Sequence, residues 1–302
     1  MAPEIEYRDA TDADYESVRS FTEDTWADLD VETSDYIPEI YHDWIDSDEK
    51  KTIVADAGDE IAGIAQFVLL SAYEGWAQGM RVNPDYRGEG IGSEIVTRLF
   101  DWGHDQGATI ARNMVFSWNQ AGLGQSRALG FEPVTEFRWL HPDPDPSADP
   151  PASADPDAAW AHWSSADARS HLGGLGLDLD HAWALRDCTR EMFARAGAET
   201  SLLTVTDETG TEAVSYRSRT IEQEADRGTE TIAEYGVAAW ETVDAGRTLL
   251  AAIAADAARC GADRTRVLIP ETSGYVSDGA YLQAAISAEP DFVLAADLSG
   301  RQ

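Results

Sequence analysis

The chain has 302 residues, of which 56 are acidic and 22 basic, so its formal net charge is -34 and its pI is about 4.2. Hydrophobic residues make up 43% of the sequence, which is typical of folded domains and not of an acidic disordered tail, and the length allows two domains. Because no basic stripe could neutralise a run of phosphates, we expect no nucleic acid partner.

The excess of carboxylates predicts a surface adapted to concentrated salt, since salt screens their mutual repulsion. Cys188 and Cys260 are too few for a disulfide scaffold. His42, His104 and His141 lack the spacing of metal ligands, so we expect no metal. The N-terminus carries no basic and apolar leader, and no apolar run reaches membrane-spanning length. We therefore expect a cytoplasmic protein without a membrane partner.

In chain order, the first half alternates strands and helices and predicts an α/β fold class of the α+β type. Strands are expected at 5–8, 52–56, 61–71, 73–82, 110–116 and 131–140, with a hairpin turn at 57–60. Helices are expected from a cap at Thr11 to about Leu29, around 38–45, and at 93–106 and 120–129.

Prolines and acidic residues dominate the middle of the chain, where they predict an extended linker over 143–158. The linker would separate a domain of residues 1–142 from one of residues 159–302. An offset of 154 places Gly107-Ala108 on Gly261-Ala262 and the strand 110–116 on 264–270. The second domain is therefore predicted to be a duplicate of the first.

The strand ending at Val82 leads into Arg87-Gly88-Glu89-Gly90-Ile91-Gly92 and then a helix. Glycines let a backbone approach an anion, and the first N–H groups of a helix point outward unpaired, so this turn predicts a pyrophosphate site. The spacing differs from the G-x-G-x-x-G of dinucleotide folds, and no Walker lysine is present. An ordinary tight turn is the remaining alternative.

With Val82 and Pro84, this loop resembles the acetyl-CoA loop of the GNAT superfamily of N-acetyltransferases. Asn119 and the ending Leu129-Gly130-Phe131 fall at the spacing of the second conserved segment of that family. The resemblance covers most of the first domain. It implies two GNAT-like lobes, each with a mixed, mostly antiparallel central sheet flanked by helices.

The resemblance also implies that acetyl-CoA is the acyl donor, held by backbone groups of the loop and of the strand before it. The implied cofactor-binding residues are Met80, Arg81, Val82, Arg87, Gly88, Glu89, Gly90, Ile91, Gly92, Ser93 and Asn119. At the 154 offset, Arg87 and Gly90 fall on Glu241 and Asp244. Because two carboxylates would repel a pyrophosphate, the second lobe is predicted to have lost the site.

The implied reaction is direct acetyl transfer to a primary amine, since the first domain contains no cysteine for a covalent intermediate. Glu74 is the predicted base. Strand alternation would place it with Trp76, Gln78 and Met80 on one face, near the splayed end of the strand. The alternative is that Glu74 is a solvated edge residue.

Some family members protonate the leaving thiolate with a tyrosine seven residues after the equivalent of Asn119, and Ser126 stands at that position here. A serine hydroxyl is a much weaker acid. Three alternatives therefore stay open: Ser126 relays a proton through water, Tyr73 or Tyr86 serves instead, or the thiolate leaves unaided. Ser126 is also compatible with an ordinary helix position.

Aromatic residues on the early helices would either wall the acceptor pocket or pack in the core; they are Trp26, Tyr36, Tyr41 and Trp44. The expected acceptor is a small-molecule or peptide amine. The second lobe would complete the acceptor cleft or be purely structural, and a homodimer is compatible with the sequence. A non-catalytic acyl-CoA sensor is the alternative function.

Overall fold

A computed structural model describes residues 4–23, 25, 35–45, 49–225 and 228–301. These residues form two compact units: the first draws on 1–113, 124–132 and 295–302, and the second on 114–123 and 133–294. Each unit combines separate segments of the chain, so the structure does not divide the chain at a single point. The domain boundaries at 142 and 159 therefore stay a prediction. Trp26 and the expected helix end at Leu29 lie outside the described residues.

Four antiparallel strands and one parallel neighbour form the sheet of the first unit. The strands are β1 (Glu6–Asp9), β2 (Lys50–Asp56), β3 (Ile61–Leu69), β4 (Glu74–Val82) and β5 (Ile110–Phe116). The helices are α1 (Tyr15–Thr22), α2 (Ile37–Trp44), α3 (Ile91–Asp105) and α4 (Gln120–Ala128). β1 to β4 pair antiparallel in chain order and β5 pairs parallel with β4, which confirms the mixed, mostly antiparallel sheet.

The first helix is shorter than the sequence predicts. Asp12–Asp14 form a 3-10 turn, and α1 ends at Thr22. Thr11 does start this segment as expected, because its backbone N–H donates to Asp14 Oδ2 at 2.8 Å in a capping box. The prediction that this helix continues toward residue 29 is wrong at Glu23, because Glu23 lies in a turn.

A bulge at Gly79 interrupts β4. On β3, Ile64 pairs with Arg81 and Gln66 pairs with Gln78, so two steps on β3 match three on β4. Gly79 has a φ of +65°, a conformation that favours glycine. The extra residue reverses the alternation of side chains beyond the bulge.

Because of the bulge, the prediction that Met80 lies on the same face of the sheet as Glu74 is wrong. Arg81 instead continues that face, and its side chain contacts Asp35 just before α2. Met80 turns to the opposite face, where its sulfur would lie 3.5 Å from a Cβ built on Gly92 in α3. The two faces of the sheet therefore present different chemistry to the α2 side and the α3 side.

The second unit repeats the strand pairing of the first. Its strands are β6 (Glu132–His141), β7 (Leu175–Leu177), β8 (Leu185–Asp187), β9 (Ser201–Thr206), β10 (Thr211–Ala225), β11 (Gly228–Trp240), β12 (Arg264–Pro270), β13 (Ala285–Ile286) and β14 (Asp291–Asp297). Its helices are α5 (Pro156–Ser165), α6 (Asp167–His171), α7 (Arg190–Glu199), α8 (Val243–Arg259) and α9 (Ser273–Tyr281). β9, β10 and β11 pair antiparallel, and β11 pairs parallel with β12.

The ends of α3 and α8 confirm the predicted duplication. After α3, Gly107 has a φ of +102°, and after α8, Gly261 has a φ of +75°. In each unit the next residue, Ala108 or Ala262, donates its N–H back into the last turn of the helix, at 2.9 and 3.0 Å respectively. The strands that follow, β5 and β12, begin and end at the predicted residues.

The expected linker packs on the second unit where the structure follows it. Asp145 donates its N–H to the carbonyl of Ala254 at 3.0 Å, and Ser153 forms a bridge with Thr204. Asp155 then caps α5. No helix within residues 4–23, 35–45, 49–225 and 228–301 is long and apolar enough to cross a membrane.

Candidate active site

The turn between β4 and α3 leaves a row of backbone N–H groups open. Glu94 is the first residue of this segment whose N–H reaches a carbonyl, that of Gly90 at 3.1 Å. Within the described chain, the N–H groups of residues 88–93 donate to no backbone carbonyl, and no side chain caps α3. The positive end of a 15-residue helix thus faces outward, where it suits an anion.

Two glycines shape this turn. Gly88 has a φ of +84° and Gly90 a φ of +82°, so both adopt the left-handed conformation. A Cβ on either would meet no atom within 4 Å, so the space beside the turn is open. Arg87 is exposed, and its guanidinium forms no ion pair with any described residue. In a chain with a net charge of -34, a cation kept beside an open helix end favours anion binding.

The equivalent helix of the second unit begins differently. Thr242 Oγ1 accepts the N–H of Ala245 at 3.2 Å and caps α8. Asp244 lies in the first turn and Glu241 just before the cap. The end of the preceding strand is also occupied, because the Tyr275 hydroxyl accepts the N–H of Trp240 and donates to its carbonyl, both at 3.1 Å.

β4 and β5 pair over only a short ladder. Glu74, Gly75 and Trp76 pair with Ile110, Ala111 and Arg112, whereas β4 continues to Val82. In the part of the chain that the structure describes, residues 77–82 therefore have no ladder partner on this edge. An extended ligand could add its own amide groups along the free edge.

Gln125 in α4 lies against the start of α3. A Cβ built on Gly92 would be 2.5 Å from Gln125 Nε2 and 3.5 Å from Val82 Cγ2. Helix α4, the start of α3 and the free edge of β4 therefore converge at Gly92. Sequence reasoning missed Gln125, and the only signal for it was its position next to Ser126.

Ser126 follows Gln125 in α4 and is buried. Its Oγ accepts a hydrogen bond of 3.0 Å from Nδ2 of Asn113 on β5. Of the alternative proton donors, Tyr86 donates its hydroxyl to Glu60 at 2.9 Å, and hydrogen bonding to this carboxylate raises the pKa of Tyr86. Tyr73 is 43% exposed and directly precedes β4.

Glu74 lies at the paired beginning of β4 and not at its free end. Its side chain is fully buried, which excludes the solvated edge alternative. Oε1 accepts from Arg112 at 2.6 Å, and Oε2 accepts from the Ser71 hydroxyl at 2.9 Å. A role as base stays a prediction, and these contacts favour a structural ion pair.

The α2 face of the sheet carries further buried polar groups. Gln78 donates to Gln66 at 2.6 Å, and Gln66 donates to the carbonyl of Trp44 at 3.0 Å. Of the aromatic residues considered for the acceptor pocket, Tyr41 and Trp44 belong to the core, whereas Tyr36 is 41% exposed. Tyr36 lies 5.7 Å from the guanidinium carbon of Arg81.

Asn119 lies in the second unit and caps α4. Its Oδ1 accepts the N–H of Gly122 at 2.9 Å. Its role in cofactor binding stays a prediction. No group of three or more His, Cys, Asp or Glu side chains within the described ranges could hold a metal ion.

Residues 15–131 match the sequence model of the acetyltransferase (GNAT) family. The chain is 33% identical over 66 residues to thialysine N-epsilon-acetyltransferase from Bos taurus, a match that covers 22% of this chain and 39% of that protein. It is 29% identical over 100 residues to L-amino acid N-acyltransferase MnaT from Escherichia coli, covering 29% and 58% respectively. The matches span about two fifths to three fifths of these relatives.

Two solved structures share the fold over nearly the whole chain. A GCN5-related N-acetyltransferase from Sphaerobacter thermophilus has a TM-score of 0.61 and 16% identity, covering 97% of this chain and 96% of its own. A tandem GNAT protein from the clavulanic acid biosynthesis pathway has a TM-score of 0.59 and 12% identity, covering 99% and 100%. These likenesses show the two-lobed fold.

Proposed function

Because residues 15–131 match the sequence model of the acetyltransferase (GNAT) family, we propose that the protein is an acetyl-CoA-dependent N-acetyltransferase that acts on a primary amine. The observation that carries the proposal is the uncapped start of α3, where Gly88 and Gly90 keep the backbone open beside six N–H groups. A pyrophosphate is the part of acetyl-CoA that this arrangement fits.

The position of the pyrophosphate determines where the rest of acetyl-CoA would lie. With the pyrophosphate at residues 88–93, Arg87 adds a cation, and the free edge of β4 offers its backbone to the amides of the pantetheine arm. Met80 and Val82 line the same side as Gly92. The Arg81 side chain is turned to Asp35, so Arg81 would contact the cofactor through its backbone.

The proposed chemistry is direct attack. The amine nitrogen forms a bond to the thioester carbonyl carbon, the carbon–sulfur bond breaks, and the sulfur keeps the bonding electrons. Cys188 and Cys260 both lie in the second unit, so neither supports a covalent route through the first. The names of the relatives, which refer to thialysine and L-amino acids, support a small amine as acceptor.

One cofactor site per chain is part of the proposal, because α8 is capped by Thr242 and flanked by Glu241 and Asp244.

We place the protein in the cytoplasm, where its two free cysteines would stay reduced. The net charge of -34 supports a salt-rich medium, so assays belong in molar potassium chloride.

Calorimetric titration of the full chain with acetyl-CoA tests the cofactor, with an expected stoichiometry of one. Release of free thiol across L-amino acids, lysine analogues, polyamines and short peptides then tests turnover. A chain that binds no acetyl-CoA would refute the proposal. Tight binding without turnover on any amine would support the acyl-CoA sensor instead, which the serine at position 126 favours.

A further inference from the structure

The chain returns to the first unit after residue 294. Residues 295–302 belong to that unit, although 133–294 belong to the second. Leu298 is fully buried, and its N–H donates to the carbonyl of Thr109 at 2.9 Å. Thr109 directly precedes β5, in the connection that follows α3. The segment 295–301 is therefore part of the unit that carries the proposed cofactor site.

Arg301 in this segment contacts three residues in a single turn of α3. Its Nη1 donates to the carbonyl of Thr97 at 3.2 Å and to the carboxylate of Asp101. Its guanidinium carbon lies 5.0 Å from the centre of the Phe100 ring, and Phe100 is only 2% exposed. A carbonyl, a carboxylate and an aromatic face all suit the planar guanidinium group. Arg301 therefore fixes the segment to the middle of α3.

On its sheet side, α3 packs against β3 through apolar side chains. A Cβ built on Gly63 of β3 would lie 3.1 Å from Ile91 Cγ2 and 3.2 Å from Ile95 Cδ1. Apolar burial is not directional, whereas a hydrogen bond and an ion pair to one turn of a helix fix its position along its axis. Arg301 therefore adds directional contacts that determine where α3 begins.

The position of α3 matters because the proposed cofactor would use two elements at once. Its pyrophosphate would bind the N–H groups of residues 88–93, and its extended arm would pair with the free edge of β4 at residues 77–82. Both contacts form together only if the start of the helix and the strand edge keep a fixed separation. Binding groups typically have to stay within about 0.5 Å of the productive geometry.

We propose that Arg301 is a positioning residue for acetyl-CoA binding, an inference that rests on the proposed function. By holding the turn 97–101, it keeps the start of α3 in place beside β4 and raises the affinity for the cofactor without contacting it. Because such a coupling is reciprocal, bound acetyl-CoA should in turn stabilise the segment 295–301 on α3.

Calorimetric titration of the full chain and its variants with acetyl-CoA tests this role. R301M keeps a side chain of similar length against Phe100 but loses both hydrogen bonds, so it should raise the dissociation constant about fivefold, at the lower end of typical couplings. R301D sets a carboxylate against Asp101 and should raise the constant further. The charge-reversed pair D101R/R301D should bind more tightly than R301D, which would show that the contact itself carries the effect.

Arg98 provides a matched control on the same helix. Its Nε donates to Glu94 at 2.9 Å, and its guanidinium carbon lies 5.0 Å from the centre of the Tyr7 ring. R98M removes the same charge from a position nearer to the start of α3, so an effect of charge alone predicts at least as large a loss as in R301M. We expect a change within about twofold, because the ion pair of Arg98 lies within α3 and salt screens its charge.

Hydrogen exchange and thermal unfolding complete the test. Acetyl-CoA should slow exchange at the amides of Leu298 and Arg301 in the native chain, and R301M should speed exchange at residues 94–97 without ligand. A dissociation constant of R301M within twofold of the native value, with or without a lower unfolding temperature, would overturn the inference. Equal losses in R301M and R98M would overturn it as well.

The outcome also separates this inference from the proposed function. A native chain that binds no acetyl-CoA would overturn the proposed function. Faster exchange at residues 94–97 in ligand-free R301M would then still support Arg301 as the residue that positions α3, and unchanged exchange there would overturn that role too.

Discussion

Arg81 Nε lies 2.5 Å from Asp35 Oδ2, and the Asp35 side chain is fully buried. The other carboxylate oxygen of Asp35 accepts the N–H of Ile37, the first residue of α2, at 3.0 Å. One side chain therefore fixes the start of α2 and ties this helix to β4 just past the Gly79 bulge. The placement of α2, which carries Tyr41 and Trp44, depends on this ion pair.

Removing Asp35 should destabilise the first unit strongly. D35A leaves the Arg81 guanidinium without this partner in a mostly buried position, and breaking a buried pair typically costs about 3–5 kcal/mol in the free energy of unfolding. The double variant D35L/R81M removes both charges and should cost less than D35A alone. Urea denaturation measures both. A D35A variant as stable as the native chain would show that the pair contributes nothing.

Gly90→Ala should weaken acetyl-CoA binding by more than its backbone strain explains. Gly90 and Gly58, in the β2–β3 turn, have φ values of +82° and +95°, and a Cβ on either meets no atom within 4 Å. Both alanine variants should lose about 1–2 kcal/mol of stability from the left-handed conformation. Only G90A should raise the dissociation constant, by about tenfold or more, because its Cβ projects into the anion space. Calorimetry on both variants checks this, and an equal effect of G58A on binding would contradict it.

Asp291→Asn should stabilise the protein at neutral pH. Burial raises the pKa of Asp291 to about 6, although its Oδ2 accepts the N–H of Trp139 at 2.9 Å. The pKa of Asp291 is higher in the folded chain than in the unfolded chain. The contribution of the protonated Asp291 carboxyl to stability is therefore complete below pH 4 and is lost as the pH rises through 6. At pH 8 the loss amounts to about 3 kcal/mol for a shift of about two units.

The difference in the free energy of unfolding between D291N and the native chain should therefore depend on pH. We expect a small difference at pH 5 and a clear advantage for D291N at pH 8. A difference that stays constant between these values would mean that Asp291 does not titrate in this range.

Tyr275→Phe should destabilise the second unit without changing acetyl-CoA binding. Burial raises the pKa of Tyr275 to about 12, so its hydroxyl stays protonated and bridges both backbone groups of Trp240. Loss of this bridge should cost about 1–3 kcal/mol. Tyr281, 68% exposed at the end of the same helix, gives the matched control Y281F, for which we expect no change. Reduced acetyl-CoA affinity in Y275F would argue against one cofactor site per chain.

The sequence was informative where local chemistry decides structure. The strand 110–116 and its duplicate at 264–270 were predicted to the residue, and the α3 start was within two residues, because glycines and alternating apolar residues mark these boundaries. Residues 15–131, which include the loop, also match the sequence model of the GNAT family. Element order and sheet type were therefore predictable from one sequence.

Long-range geometry was not predictable in the same way. The Gly79 bulge is set by pairing with β3, and it moved Met80 to the other face of the sheet. The contact of Asn113 with Ser126 joins a strand to a helix 13 residues later, and no periodicity in either element indicates it. Burial of Glu74 likewise depends on Arg112, 38 residues away.

The uncapped end of α3 has a consequence for ionic competition. Backbone N–H groups bind any anion of suitable charge and size. Chloride at molar concentration would therefore compete with the proposed cofactor for the N–H groups at the start of α3. The proposed donor, acetyl-CoA, would outcompete chloride by offering several phosphate oxygens at once and by pairing with β4. Apparent affinity should therefore recover when potassium chloride is exchanged for potassium glutamate at equal ionic strength, since the bulkier anion fits the turn poorly.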